Sequence, residues 1–140
     1  RTFGSTHLVN ASKGDPVEQV KELTGGYGAD YVIVTVGITS AIAQGVAMLG
    51  RQGTVVIVGL ATTNLEVFPM DIIDFEKVIT ASFMGTTNSS QDIPKLINLY
   101  KSGKLKLDEL ITAHYTLDQI NEAVRSTESG EALRNIISFE

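Results

Sequence analysis

The stretch "TGGYGADYVIVTVG", Thr24–Gly37, sets three glycines directly ahead of an apolar run. Glycines so placed belong either to a loop that cradles phosphate or to a turn. The order of parts separates the two. A dinucleotide fingerprint runs strand, then G-x-G-x-x-G, then helix, because the pyrophosphate sits on the helix N-terminus. Here Gly26-Tyr27-Gly28 comes before the apolar run and is followed by Ala29-Asp30-Tyr31, so the third glycine is missing too. The stretch reads as a helix C-cap followed by a tight entry into a strand. Any cofactor of this chain is then held elsewhere.

Working outward, Asp15-Pro16-Val17-Glu18 places Asp at an N-cap, Pro at N1 and Glu at N3, which predicts a capping box. Val17, Val20 and Leu23 mark one face of the short helix that follows, and Gly25 ends it. Upstream, "HLVNA", His7 to Ala11, is a short apolar run after a Gly-Ser-Thr turn and reads as a strand. Downstream, "DYVIVTVG", "GTVVIVG" (Gly53 to Gly59) and "VITASFMG" (Val78 to Gly85) are nearly continuous β-branched runs. Such runs predict strands buried on both faces, as in a parallel sheet under helices. Ala41 to Leu49 has helical composition and stops at Gly50. From Ser89, the spacing of Ile93, Leu96, Ile97 and Tyr100 predicts a helix closed by Gly103. Thr116-Leu117-Asp118-Gln119 is a second capping box, opening a helix that carries Ile120, Ala123 and Val124. "RNIISF", Arg134 to Phe139, reads as a last strand. Alternating strand and helix predicts an α/β fold with right-handed crossovers. No repeat or linker interrupts it, so residues 1–140 read as one domain.

Composition narrows the function. The chain has 140 residues, 43% of them apolar and 19% charged, the balance of a globular domain with a real core. Eleven basic against sixteen acidic residues give a net charge of −5, which argues against a nucleic-acid partner or an anionic membrane surface. No apolar run approaches the ~20 residues that cross a bilayer. There is no cysteine, hence no disulfide and no thiolate for a structural zinc. A cytoplasmic protein is expected.

In an open α/β sheet, ligands bind outside the carboxyl ends of the strands. Those ends read Thr35-Val36-Gly37, Val58-Gly59-Leu60 and Phe83-Met84-Gly85. Each carries a small residue that lets a flat ligand approach the backbone closely, or that merely ends the strand. None offers an acid, a base or a nucleophile. His7 and His114 stand far apart and read as structural, and two histidines with no cysteine do not make a catalytic zinc set. Asp71, Asp74 and Glu76 read as the solvated side of a short helix, and Ser40 lacks the G-x-S-x-G elbow. Arg134 reads as a surface charge, or as a bidentate phosphate clamp.

Four pieces then stand in a telling order: "GGYGADYVIVTVG", "MLGRQGTVVIVGL", "FMGTTNSSQDIPKLINLYKSGKLKLDELITAHYTLDQINEAV", and "ESGEALRNIISF", with "SGKLKLDELIT…YTLDQINEAV…GEALRNII" the most specific part. Together they resemble the C-terminal half of the medium-chain, zinc-type alcohol dehydrogenases over essentially all 140 residues. The resemblance implies a fragment of an NAD(P)-binding domain, a partial Rossmann sheet (doubly wound and parallel) lacking its first two strands. It implies that Thr35, Val36 and Gly37 line the adenosine and ribose side of the dinucleotide. The backbone at Val58, Ser82 and Met84 would bond the nicotinamide carboxamide, with Gly59 and Leu60 beside the ring and Arg134 on the pyrophosphate. The cofactor would be NAD or NADP, with zinc held by ligands outside this chain, a small alcohol or aldehyde as substrate, and a homo-oligomer whose dimer contact falls at "TNLEVFPMDIIDF".

The same resemblance implies that a zinc domain, the glycine fingerprint and an acidic ribose-binding strand end all precede this chain. The piece would then be inactive alone and would bind NAD weakly or not at all. In a sheet of order 3-2-1-4-5-6 it would supply strands 3 to 6. "HLVNA" would lack its neighbour and "DYVIVTVG" would present an open apolar edge. The chain would then pair edge to edge with another copy, or move "HLVNA" into the gap. Two rival readings are a zinc-free quinone oxidoreductase relative and a non-catalytic α/β binding module of receiver type. The latter needs acids at the strand ends to hold a cation, and this chain has Thr, Val and Gly there.

Overall fold

The computed structural model describes residues 2–139, in two compact units that divide between Thr87 and Asn88. In the first unit α1 spans Pro16–Leu23. Asp15 caps it, Oδ1 accepting the Val17 N–H at 2.8 Å. Glu18 turns instead to Lys21 at 3.7 Å, so only half of the expected box forms. The glycines of the opening stretch end this helix. Gly25 N–H donates to Glu22 O at 3.1 Å and Gly26 N–H to Lys21 O at 2.7 Å, with φ of 64° and 88°. Those two bonds define a Schellman stop. Gly28 completes the turn, because a Cβ there would lie 2.6 Å from Gly50 N.

The chain then alternates: β1 Ala29–Val34, α2 Thr39–Met48, β2 Leu49–Ile57, α3 Pro69–Ile73 and β3 Val78–Ala81. The three strands form one parallel sheet in the order β1-β2-β3. The register of β1 on β2 jumps between Ala29 and Tyr31, where Gly50–Gly53 bulges out, so β2 starts four residues before the predicted Gly53. The core lies between α2 and one face of the sheet: Val34, Ile42, Val46, Leu49 and Val55 are buried. Helix and sheet approach closely because Gly45 has no Cβ. An added one would sit 3.0 Å from Val34 Cγ2 and 3.2 Å from Val32 Cγ1.

Two expectations fail here. "HLVNA" forms no strand: residues 7–10 are irregular and Ala11–Lys13 is a turn of 3-10 helix. Asn10 Oδ1 accepts the Ser12 N–H at 2.9 Å and turns the chain, and an isolated apolar run without a paired neighbour has no ladder to join. Nor are the strands buried on both faces. Val32 and Val34 point to α2, while Tyr31 and Ile33 are 76% and 66% exposed on the other side. Among the described residues β1 is hydrogen-bonded only to β2, which leaves its other edge open.

The second unit holds α4 Ser89–Lys101, β4 Ile111–Thr116, α5 Ile120–Glu128 and β5 Arg134–Ser138. Gly103, at φ 71°, stops α4 with the same pair of bonds, its N–H to Tyr100 O and Lys104 N–H to Leu99 O. Tyr100 then donates its hydroxyl to both Asp108 carboxylate oxygens at 2.8 Å. That bond, and next the Asp108 charge itself, hold the Tyr100 pKa above 10.0. β4 was not expected. It pairs in parallel with β5, and α5 connects them. At the start of the last helical segment Gln119 Oε1 accepts the Thr116 N–H at 3.1 Å, as the sequence predicts. Asn135 Nδ2 ties β5 to α5 through Ala123 O at 3.0 Å and Thr127 Oγ1 at 3.2 Å.

Candidate cofactor site

The carboxyl ends of the first unit's strands meet through their glycines. Past β1 runs Thr35-Val36-Gly37; past β2 runs Val58-Gly59-Leu60. The N–H groups of Val58 and Gly59 both donate to Val34 O, at 2.9 and 3.1 Å. A Cβ on Gly59 would lie 2.2 Å from Val36 C and O, and one on Gly37 would lie 2.4 Å from Leu60 O. These two glycines therefore admit each other's chains. The close approach of the two exits therefore requires a glycine at both positions.

Beside this junction is a hollow of about 420 Å³ at the ends of β2 and β3. It is lined by Ile42, Val58, Gly59, Leu60, Ser82 and Phe83, among others. α2 begins just behind it. Its first residue, Thr39, is bonded through Oγ1 to Thr63 Oγ1 at 2.5 Å, which ties the helix start to the loop leaving β2. Four residues expected at a site, Val58, Gly59, Leu60 and Ser82, thus share one hollow. Val36 and Gly37 reach it only by packing on Gly59 and Leu60, and Thr35 precedes them, exposed, at the end of β1. Met84 follows the lining residue Phe83 and opens a turn in which Met84, Gly85 and Thr86 all have positive φ, 53°, 66° and 52°. For Thr86, a β-branched residue, that conformation is strained. Arg134 lies in the second unit, exposed, as the first residue of β5 paired with Ile111. Ile42 was not expected at the site, and Phe83 was expected there only as part of a strand end, with no role of its own. Their positions mark them: Ile42 is one turn into the helix that follows β1, and Phe83 stands between Ser82 and Met84.

The polar groups at the hollow include backbone groups as well as the hydroxyls of Thr63 and Ser82. Ser82 N–H donates to Ile57 O at 2.9 Å and is used up. Among the described residues, none of the turn and loop bonds takes the carbonyls of Val58 or Ser82 or the N–H of Met84. Two acceptors and one donor complement a primary carboxamide, which offers an NH₂ and a C=O. Among the described residues no carboxylate, amine or imidazole lines the hollow. Among the described residues no cluster of three or more His, Cys, Asp or Glu is placed to hold a metal ion. No described helix is long and apolar enough to cross a membrane.

A larger hollow of about 770 Å³ opens at the opposite, amino ends of the strands, around Gly28 and Gly50. The carboxyl-end hollow is the better cofactor candidate, because ligands of open α/β sheets bind where strands end and helices begin.

A parallel sheet alternating with helices, and hollowed where its strands end, is a Rossmann-type arrangement. Comparisons with known proteins agree. The chain is 37% identical over 140 residues to the "Putative alcohol dehydrogenase D" of Mycobacterium tuberculosis, covering 96% of this chain and 38% of that protein. It is 36% identical over 142 residues to the NDMA-dependent alcohol dehydrogenase of Amycolatopsis methanolica, with coverage of 96% and 38%. Its fold matches the crystal structure of benzyl alcohol dehydrogenase from Acinetobacter calcoaceticus with a TM-score of 0.90 at 31% identity, over 98% of this chain and 38% of that one. The sequence profile of the zinc-binding dehydrogenases matches residues 1–102. The chain belongs to the zinc-binding dehydrogenase family. It spans 38% of the length of these relatives.

Proposed function

We propose that this chain is the nicotinamide-side half of the cofactor site of an NAD(P)-dependent alcohol dehydrogenase. The observation that carries this reading is the hollow at the ends of β2 and β3. There Val58, Gly59, Leu60 and Ser82 come together with two free carbonyls and, next door, one free N–H. Bound there, the nicotinamide would supply hydride transfer to and from a small alcohol or aldehyde. The residues of this chain bind and orient. The carbonyls of Val58 and Ser82 accept from the carboxamide NH₂, the Met84 N–H donates to its oxygen, and Leu60 and Phe83 cover the ring from water. Thr35, Val36 and Gly37 take the adenosine and ribose side, and Arg134 takes the pyrophosphate. Zinc is assigned to residues outside this chain, in keeping with the family; among the described residues none form a ligand cluster.

The uncovered sheet face supports a role within a larger body. The accessible surface of 10666 Å² exceeds the ~8,400 Å² that two separate compact bodies of these sizes would expose. We assign the parent protein to the cytoplasm, as a homo-oligomer with its dimer contact at Thr63–Phe75.

The test is alcohol-dependent reduction of NAD or NADP. The 140-residue chain alone is expected to show no turnover. A longer polypeptide that contains it is expected to turn over alcohol. In that polypeptide Arg134→Ala should weaken dinucleotide binding about tenfold or more, the loss of charge-assisted bonds worth about 1.5–3 kcal/mol. Turnover by the isolated chain would overturn the reading.

A further inference from the structure

The turn after β3 carries backbone strain that the cofactor reading leaves unexplained. Met84, Gly85 and Thr86 have φ of 53°, 66° and 52°. Glycine adopts that left-handed conformation freely; methionine and a β-branched threonine do not. The turn follows Ser82 and Phe83, which line the carboxyl-end hollow. Strained backbone persists only where its surroundings hold it. Here Thr86 N–H donates to Phe83 O at 3.1 Å and Thr87 N–H to Met84 O at 3.2 Å. The Thr87 hydroxyl donates to the same Met84 oxygen at 2.5 Å. Of these three donors it alone is a side chain. A Cβ on Gly85 would lie 3.2 Å from Thr87 Oγ1, so the hydroxyl sits against the turn it ties.

The strain is coupled to a direction. Rotating the Phe83–Met84 peptide plane about its two flanking bonds would bring Met84 to negative φ and relieve it. The same rotation would carry the Met84 N–H round to the opposite side. The N–H and C=O of one planar trans peptide point in opposite directions. The Phe83 C=O is held inside the turn by the Thr86 N–H, so the Met84 N–H faces out of it. That N–H is the donor assigned above to the carboxamide oxygen. Relief of strain and loss of the donor's aim are therefore one event, and the bonds that lock the turn prevent both.

We propose that Thr87 is a positioning residue of the cofactor site. Its hydroxyl, tied to Met84 O, locks the left-handed turn and keeps the Met84 N–H aimed at the carboxamide oxygen. The proposal rests on the nicotinamide reading of the hollow. Thr87 itself touches neither cofactor nor substrate; it acts through the Met84–Gly85 peptide, whose oxygen it holds.

The test follows amide resonances of the ¹⁵N-labelled chain, unchanged and as Thr87→Val and Thr87→Ser. Valine keeps the branched shape and loses the hydroxyl; serine keeps the hydroxyl. Without ligand, the Thr86 amide is expected to exchange with water about fivefold faster in Thr87→Val, the loss of one hydrogen bond, and to recover in Thr87→Ser. With NADH, the Met84 amide shift is expected to fall to about a third in Thr87→Val, as the competent turn loses population, and to return in Thr87→Ser. Gly59 and Leu60 are expected to shift alike in all three chains. ADP-ribose, which lacks the nicotinamide, is expected to bind the three equally. Unchanged Thr86 exchange or an unchanged Met84 shift in Thr87→Val would overturn the proposal. So would an equal loss at Met84, Gly59 and Leu60, which marks a general loosening. If NADH moves Gly59 and Leu60 but not Met84 in the unchanged chain, the proposal fails and the nicotinamide reading stands; if it moves none of the three, both fail.

Discussion

Gly59→Ala is expected to cost the first unit about 3 kcal/mol or more of folding stability, read as a lower denaturant midpoint at unchanged slope. The new Cβ would lie 2.2 Å from Val36 C and O and 2.6 Å from Gly37 N. All three are backbone atoms, so no side chain can swing away. They are also held: Val34 O, just before them, accepts both the Val58 and the Gly59 N–H. Relief requires the ends of β1 and β2 to part, which breaks those bonds and opens the floor of the candidate site. Gly26→Ala separates this clash from conformational strain. Gly26 has φ of 88°, but its Cβ would meet nothing within 4 Å, so its cost is expected near 1–2 kcal/mol. A Gly59→Ala chain as stable as Gly26→Ala would show that the two exits are not packed as described.

Ile42→Ala is expected to cost about 3 kcal/mol, within the 2–5 usual for truncating a buried isoleucine. Ile42 is 3% exposed and belongs to the cluster with Val34, Val46, Leu49 and Val55. That cluster is small for a domain whose whole stability is on the order of 5–15 kcal/mol, so little remains to take up the loss. Ile42 also lines the carboxyl-end hollow. Its truncation is therefore expected to widen the hollow as well as loosen α2, and thermal unfolding followed by circular dichroism measures the first effect. An exposed isoleucine such as Ile73, at 65%, should tolerate the same change within about 0.5 kcal/mol. Equal losses at the two positions would contradict the burial described.

The parts of the fold that local chemistry controls were legible in the sequence. Asp15, Gly25-Gly26 and Gly103 fix helix ends through bonds to their own neighbours, and they stand where the residue types placed them. The alternation of strand and helix, and the parallel sheet, were legible from the β-branched runs. What escaped depends on partners distant in the chain. "HLVNA" has strand composition, but a strand exists only in a ladder, and none is offered to it. "ITAHYT" was passed over because Thr112, His114 and Thr116 break its apolar run, yet its alternate residues are half-buried on β4 beside β5. The β-branched runs promised two covered faces, and only the face under α2 is covered.

The site divides in the same way. Val58, Gly59, Leu60 and Ser82 could be placed together because strand ends of one parallel sheet lie side by side. That Gly37 and Gly59 serve each other could not be read from the sequence. The distance between two loops is set by the strand register and by α2, which Gly45 lets settle onto Val32 and Val34. The strained turn at Met84–Thr86 was equally hidden, since only Gly85 of its three residues advertises a positive φ.

The central claim is that the nicotinamide half of a dinucleotide sits at the ends of β2 and β3. Titrating the ¹⁵N-labelled chain with NADH and following amide shifts tests it most directly, because weak binding still moves resonances. The claim requires the largest shifts at Gly59, Leu60, Phe83 and Met84, with Gly28, Gly50 and Lys77 at the opposite end still. Shifts centred on Gly28, Gly50 and Lys77, with the strand ends unmoved, would contradict it.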